Sequence, residues 1–414
     1  MIVRTFSKEK VILADEPIAS GGEGEVRKIL SCPAKFGDVC AKLYFKPRQT
    51  KEQEGKIRFM VENPPSTIIG DGMMLAWPLE TLYKPNGEFI GFIMPVAYPN
   101  SNKLVILTLP KLKKAYKEEW YKFDKELDIK TALVSRMMLL NNIAIPIHFL
   151  HATGKYILKD FKPDNVLVTP DGRITIVDMD SIQICDNGKL LFPGTASTES
   201  YMPPEFYNKG VGRKSSESLN VSWDNFALAE VFYQLMFGLN PYAVSPKTQA
   251  EDSNTLPYCI SHNLFPFGNN ASKIATIPAP HNNFNIIPQP IRLLFIRAFG
   301  ETPQDRPSAM EWGKTINQVL RSMPKTSAPT PPKSSPKPPK SPSSDSGSDS
   351  NPAPVKYCPK CGVAVPLAAK FCKACGYSFE KGEKPKEPRE LNKPLIALII
   401  LAIVILLAII ILNG

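Results

Sequence analysis

The chain opens without a long apolar run. Residues 1–16, MIVRTFSKEKVILADE, contain no hydrophobic stretch of signal-peptide length, so no secretory leader is expected. Histidine is scarce, 4 in 414 residues. His148 and His151 close an apolar helical stretch and are expected to pack there, not to bind metal. Charge imbalance is also small over most of the chain. Of the net +11, the 13 basic and 6 acidic residues between Pro324 and Lys393 account for +7. The first three quarters are only mildly basic, and the aromatic-rich segment 111–130 nearly balances its acids and bases, so nucleic acid is not an expected partner. That segment is expected to be a solvated helix or an insertion. Cys32, Cys40, Cys185 and Cys259 are scattered singly, which excludes a disulfide framework and suggests a reducing compartment. Between Pro324 and Pro354 almost nothing can be buried, and Pro, Ser, Lys and Thr predominate, which predicts an extended or disordered spacer. The total length nonetheless allows two or more domains with real cores.

The stretch most informative about chemistry runs from Tyr156 to Ile182, YILKDFKPDNVLVTPDGRITIVDMDSI. A turn signal at Pro170-Asp171-Gly172 precedes an alternating run, Ile174-Thr175-Ile176-Val177, and predicts a β-hairpin. The hairpin would bring Asp160, Asn165 and Asp178 near one point. Such a cluster suits phosphoryl transfer. Mg²⁺ takes oxygen ligands, usually one or two protein groups plus phosphates and water, and Asn165 and Asp178 can supply them. Asp160 can accept the proton of an attacking hydroxyl. Further upstream, a glycine cluster within Ile18–Val26 lies between two strand-like segments, and glycine lets backbone N–H groups lie close over phosphate. Lys42 follows in a strand-like setting between Ala41 and Leu43. Residues 49–62 have helical spacing, with Ile57, Met60 and Val61 on one face, ended by Pro64-Pro65.

In these features the sequence resembles the protein kinase family, whose catalytic loop reads H-R-D-x-x-x-x-N and whose metal-binding aspartate opens D-F-G. Here those motifs read Leu158-Lys159-Asp160…Asn165 and Asp178-Met179-Asp180, with Lys162-Pro163-Asp164-Asn165 close to K-P-E-N. The resemblance implies an α+β, two-lobed fold over residues 1–322, with an N-lobe to about 95 and a C-lobe from about 100. It implies ATP held by Ala19, Gly21, Gly22, Gly24 and Val26 of the glycine loop, by Ala41 and Lys42 of a V-A-I-K-like strand, and by Met94 at the hinge. Lys42 would hold the α- and β-phosphates and pair with a helix glutamate, Glu54 or alternatively Glu52. Asp160 would be the catalytic base, Lys162 its neighbour, and Asn165 and Asp178 the Mg²⁺ ligands. Pro203-Pro204-Glu205 stands for A-P-E, which puts Thr198 beside Asp160 and Lys162 and implies Ser/Thr protein substrates. Asp224 would brace the catalytic loop, and Arg306 of Asp305-Arg306-Pro307 would pair with Glu205.

The departures from the family pattern leave two readings open. Leu158 and Lys159 replace His and Arg, and lysine lacks the planar fork that reads a loop phosphate. Asp180 replaces the D-F-G glycine and could strengthen a cation site or stiffen the loop. The expected activity is an ATP-dependent serine/threonine kinase; the alternative is an inactive, nucleotide-binding scaffold.

Beyond the spacer of residues 323–356, two C-x-x-C-G knuckles within residues 357–379 (Cys358, Cys361, Cys372, Cys375) have the spacing of four thiolates around Zn²⁺ and resemble a zinc ribbon. A structural zinc and an unidentified ribbon partner are expected there. After a charged linker, 380–394, residues 395–412 are all Leu, Ile, Val or Ala. Such a run extends about 27 Å as a helix, close to a hydrocarbon core, and predicts a C-terminal transmembrane helix. Arg389 and Lys393 before it put the catalytic part in the cytoplasm, and the style of the motifs suggests a bacterial plasma membrane.

Overall fold

Apolar alternation dictates strands over the first hundred residues, and these strands close on themselves. A computed structural model describes residues 1–126, 129–214, 216–248, 252–323, 355–357, 364–366 and 370. Strands β1 (Ile2–Thr5), β2 (Lys10–Ser20), β3 (Gly24–Ser31) and β4 (Val39–Tyr44) run antiparallel, and helix α1 (Lys51–Glu62) follows. Thr50 caps α1 by accepting a hydrogen bond from the Gln53 amide at 3.1 Å. Two short strands, β5 (Ile69–Gly70) and β6 (Met73–Leu75), lead to β7 (Glu80–Tyr83) and β8 (Phe89–Pro95), a hairpin turned at Pro85-Asn86-Gly87. The order β1-β2-β3-β4-β8-β7 closes because β7 also pairs with β1. Val3, Val11, Leu13, Ala41, Leu43, Leu82, Ile90 and Ile93 fill the barrel as one buried cluster.

A second cluster forms the C-lobe core and extends up to α1. After β9 (Asn102–Lys103) the chain makes 3₁₀ turns and then the long helix α2 (Ile129–Ala152). The charged segment before α2 is not a solvated helix: it turns at Lys114–Tyr116 and Tyr121–Phe123 and buries Trp120 and Phe123 in the core. Arg136 of α2 is buried behind it and donates to the Leu107 and Phe123 carbonyls at 2.8 Å. Next come β10 (Tyr156–Ile157), β11 (Val166–Val168) and β12 (Ile174–Ile176). β11 and β12 form the hairpin expected around Pro170-Asp171-Gly172, and β12 pairs in parallel with β6. β13 (Gln183–Asp186) and β14 (Lys189–Phe192) extend β10 into a small sheet. Helices α3 (Pro204–Lys209), α4 (Val221–Phe237), α5 (Leu256–Ser261), α6 (Gln289–Ala298) and α7 (Ala309–Ser322) complete the lobe. α4 is buried along almost its whole length, from Trp223 to Phe237, so it serves as the axis on which the other elements pack.

Two corrections to the expected architecture follow. Cys358, Cys361, Cys372 and Cys375 lie outside the described residues, and among the described residues no group of three or more His, Cys, Asp or Glu side chains could hold a metal ion. The described cysteines, Cys32, Cys40, Cys185 and Cys259, are free and spread over separate elements. The zinc ribbon, its structural Zn²⁺ and a ribbon partner therefore have no support. The described part of the second compact unit, Ser335–Gly414, is an antiparallel pair, Val355–Tyr357 with Ala364–Pro366. The C-terminal span at residues 395–412 also falls outside the described residues. Among the described residues, one helical stretch is long and apolar enough to cross a membrane, Ala132–Ala152, and half of it is buried in the C-lobe core. What stands is a kinase-like α+β fold without an established ribbon or membrane-spanning helix.

One buried acid on α4 sets a pH-dependent cost. Glu230 is fully buried; one carboxyl oxygen accepts from the Asn240 amide and the other has no partner. Burial pushes its carboxyl well above the ordinary range. A raised folded-state value means that the unfolded chain gives up this proton more easily, so stability falls as pH rises above the unfolded value, about 4.3. Glu230→Gln removes that cost. Thermal or urea unfolding should show the variant more stable than wild type at pH 7, with the difference shrinking to near zero at pH 4.

Candidate active site

β4 divides its side chains between two environments because successive residues of a strand face opposite sides. Ala41 and Leu43 enter the barrel core, whereas Cys40 and Tyr44 belong to the cluster that reaches α1 and the C-lobe. Lys42 lies between them in the same alternation. Ala41 is thus corrected: it faces the barrel interior, not the cleft. Cys40 pairs across strands with Met94, which places Met94 on the cleft side. The backbone of Lys42 is held tightly. A Cβ on Gly24 would come within 2.2 Å of the Leu43 carbonyl oxygen, and one on Gly91 within 2.0 Å of the Lys42 carbonyl oxygen. Glycine at both positions lets β3 and β8 press against this single stretch of β4.

The glycine loop is a tight β2–β3 turn. Ala19 pairs with Val26, and the Gly21 amide donates to the Gly24 carbonyl at 2.9 Å. Gly21 and Gly22 have open space where side chains would begin, so close backbone approach does not explain them as it explains Gly24. Glu23, at the loop tip, forms an ion pair with Arg48 at 2.8 Å, and Arg48 also donates to the Thr195 hydroxyl at 3.0 Å. The loop is thereby linked to the segment that follows Asp178.

The catalytic loop is braced from below. Asp224, buried near the start of α4, accepts from the Leu158 amide at 2.7 Å, the Lys159 amide at 3.0 Å and the His151 ring at 2.9 Å. The Trp223 indole donates to the Lys159 carbonyl at 3.1 Å. These bonds hold Lys159 at φ +62°, a left-handed conformation that costs a non-glycine residue about 1 kcal/mol. The kink carries the chain directly into Asp160. One carboxylate oxygen of Asp160 accepts from the Thr198 hydroxyl at 2.7 Å, and the other accepts from the Lys162 ammonium at 2.8 Å. Lys162 also donates to Thr198 at 2.7 Å, which closes a triangle of three side chains. Asn165 donates through its amide nitrogen to the Asp160 carbonyl at 2.9 Å, and its amide oxygen accepts no hydrogen bond among the described residues. Glu205 and Arg306 meet through two parallel bonds of 2.7 and 2.8 Å, the bidentate geometry typical of a structural pair.

Beyond β12 the chain kinks again at Asp178, φ +58°, held by the Ser181 amide and hydroxyl donating to its carbonyl at 3.1 and 2.8 Å. The Asp178 side chain stays 54% exposed, 3.2 Å from the Lys42 ammonium. Asp180 is buried, and each of its oxygens has a partner, one Lys42 at 2.6 Å and the other the Tyr44 hydroxyl at 2.7 Å. Burial alone would pull the Lys42 ammonium down, but the carboxylates of Asp180 and Asp178 outweigh it and hold its proton more tightly than usual. Burial likewise opposes ionisation of Asp180, and the facing Lys42 charge holds that carboxyl below its ordinary value.

Two expectations fail on helix register. Glu54 does not reach Lys42; it accepts from the Tyr83 hydroxyl at 3.0 Å and pairs with Lys51 at 2.9 Å. Glu52 is exposed. The buried face of α1 carries Gln53, Lys56, Ile57 and Met60. Gln53 donates to the Tyr44 hydroxyl at 2.7 Å, and the buried Lys56 ammonium has no hydrogen-bond partner, so burial lowers it to about 8. Sequence reasoning missed Tyr44, Gln53 and Lys56. The acid at Asp180, in place of a glycine, was the visible signal that the lysine's partner had moved.

Asn165 and Asp178 fit a divalent cation only with help. No cluster of three or more ligating side chains exists among the described residues, so an ion here would need phosphate oxygens to complete its shell, which is the usual habit of Mg²⁺. The brace is sensitive to truncation. Asp224→Ala leaves two buried amides unpaired, and equilibrium unfolding should register a loss of about 3 kcal/mol.

The comparisons agree with this geometry. Residues 97–315 match the model of the protein kinase domain. The chain is 25% identical over 330 residues to the protein kinase YegI of Escherichia coli K12, covering 78% of this chain and 47% of that protein. It is 28% identical over 209 residues to the serine/threonine-protein kinase PknH of Mycobacterium tuberculosis H37Rv, covering 47% and 29%. Over 104 residues, 25% of this chain and 6% of the relative, it is 31% identical to human serine/threonine-protein kinase MRCK gamma. The chain thus spans just under half the length of YegI. A match over more than half of its residues, on a fold that assembles the same motifs in the same order, places the chain in the protein kinase domain family.

Proposed function

We propose that the protein transfers the γ-phosphate of ATP to serine or threonine hydroxyls of protein substrates. The observation that carries this reading is the triangle of Asp160, Lys162 and Thr198, with bonds of 2.7 to 2.8 Å. It fixes the Asp160 carboxylate while leaving lone pairs for an incoming hydroxyl, since a carboxylate offers about four acceptor sites. Asp160 orients that hydroxyl and takes its proton as the oxygen attacks phosphorus. Lys162 keeps Asp160 in place and meets the charge that gathers on the transferred group. Lys42 holds the α- and β-phosphates, and the glycine loop with Met94 lines the nucleotide's seat. Mg²⁺, when bound through Asn165, Asp178 and the phosphates, would neutralise their charge. Thr198 touches both Asp160 and Lys162, which supports Ser/Thr over Tyr specificity.

The relatives named as kinases support phosphoryl transfer, but each extends well beyond the matched region, so this chain's own substrates must be found directly.

The test is transfer of labelled phosphate by the full chain with Mg²⁺ and a generic protein substrate. Incorporation into serine or threonine should fall at least about 100-fold in Asp160→Ala and Asp178→Ala, and about 10-fold or more in Thr198→Ala. Tight, Mg²⁺-dependent ATP binding without transfer by wild type would contradict the proposal and favour a nucleotide-binding scaffold.

A further inference from the structure

The lysine that would clamp the phosphates needs a carboxylate to aim it. Helix α1 is where the resemblance would supply one, and it does not. Each acid on α1 is accounted for elsewhere: Glu52 is exposed, Glu54 is held by Tyr83 and Lys51, and Glu62 lies 3.8 Å from Arg58. The face turned inward carries a neutral amide, Gln53, and a second ammonium, Lys56. Lys56 would repel Lys42, not aim it.

We propose that Asp180 is the positioning residue for Lys42, supplying from the segment after β12 the carboxylate that α1 lacks. The reading rests on Lys42 being the phosphate clamp. Two observations carry it. The contact is short, 2.6 Å, between a 1% exposed carboxylate and a 12% exposed lysine side chain. The second oxygen is fixed by Tyr44, two residues along the same strand from Lys42, at 2.7 Å. Asp180 is thus held to β4 through both oxygens, and moving onto a cation beside Asp178 would cost it those bonds.

This arrangement shifts the dependence of the clamp. Where a helix glutamate holds the lysine, the helix must sit correctly for ATP to be held. Here α1 is hydrogen-bonded to the pair through a neutral relay, Gln53 to Tyr44 to Asp180, with both links 2.7 Å long, and its one nearby charge is the Lys56 ammonium, not a carboxylate. Lys42 is instead fixed by the same short segment that carries Asp178. Order in that segment sets the lysine and the metal-binding acid together.

The test is a double-mutant cycle on the full chain, read as the Kd for ATP with Mg²⁺ and, where transfer occurs, as KM for ATP against kcat. The variants are Asp180→Asn, Lys42→Met and the double variant, with each melting temperature recorded. Asp180→Asn should weaken ATP binding about 10-fold, and the double variant should bind no more weakly than Lys42→Met alone, because Asp180 acts through Lys42. An unchanged Kd in Asp180→Asn, or losses that multiply in the double variant, would overturn the inference. Should Asp180→Asn fail to fold, Tyr44→Phe releases one carboxylate oxygen and should raise the Kd about threefold; an unchanged Kd would count against the inference. Wild type that binds ATP without transferring phosphate would remove the kinase activity while leaving this cycle decisive. Wild type that binds no ATP would remove both.

Discussion

A buried ion pair between residues 138 positions apart, Lys42 and Asp180, joins the two halves of this molecule. A lysine and an aspartate taken out of water each lose several kcal/mol of hydration, so such a pair persists only where geometry and further hydrogen bonds compensate. Both conditions are met. Gly24 and Gly91 let the neighbouring strands close on the Lys42–Leu43 stretch, and Tyr44 completes the aspartate's bonding. Removing one partner would strand the other, a loss of roughly 3–5 kcal/mol for a buried pair. The barrel thereby fixes the position of the segment that carries Asp178.

The C-lobe anchors the loop that carries Asp160 through one buried acid. Asp224 gathers two backbone amides and a histidine, and the left-handed turn at Lys159 depends on that grip. Asp160 then emerges in a fixed direction, to be held by Lys162 and Thr198. The Glu205–Arg306 pair fixes the end of the intervening segment, with Arg306 also donating to the Ser222 carbonyl at 3.1 Å. Lys42, Asp160, Lys162, Asp178 and Asp180 are thus each held by a partner on a different element. The arrangement suits a reaction in which positioning and electrostatics supply most of the catalysis.

Much of this was legible in the sequence because it is encoded by fixed spacing or by turn chemistry. The hairpin at Pro170-Asp171-Gly172 fixes how Asn165 and Asp178 approach each other. The order of short motifs from Gly21 to Arg306 is enough to indicate two lobes. What was hidden depends on which way a side chain faces. One residue along a strand reverses direction, so Ala41 enters the barrel core while Cys40 lies on the other side. One residue along a helix turns by about 100°, which takes Glu54 to Tyr83 and leaves Gln53 facing Tyr44. Segment 111–130 misled through its charge, because buried Trp120 and Phe123 outweigh lysines that remain at the surface. The four late cysteines and the apolar run 395–412 are patterns of spacing and composition, and among the described residues neither a zinc site nor a free membrane-length helix accompanies them.

The most direct test of the account is the structure of the full chain with Mg²⁺ and a non-hydrolysable ATP analogue. The account predicts that the Lys42 ammonium touches the α- or β-phosphate while keeping Asp180 within hydrogen-bonding distance, with Asn165 and Asp178 on the metal and Asp180 off it. A structure in which Glu54 or Glu52 turns in to Lys42, or in which Asp180 leaves Lys42 to bind the cation, would contradict it.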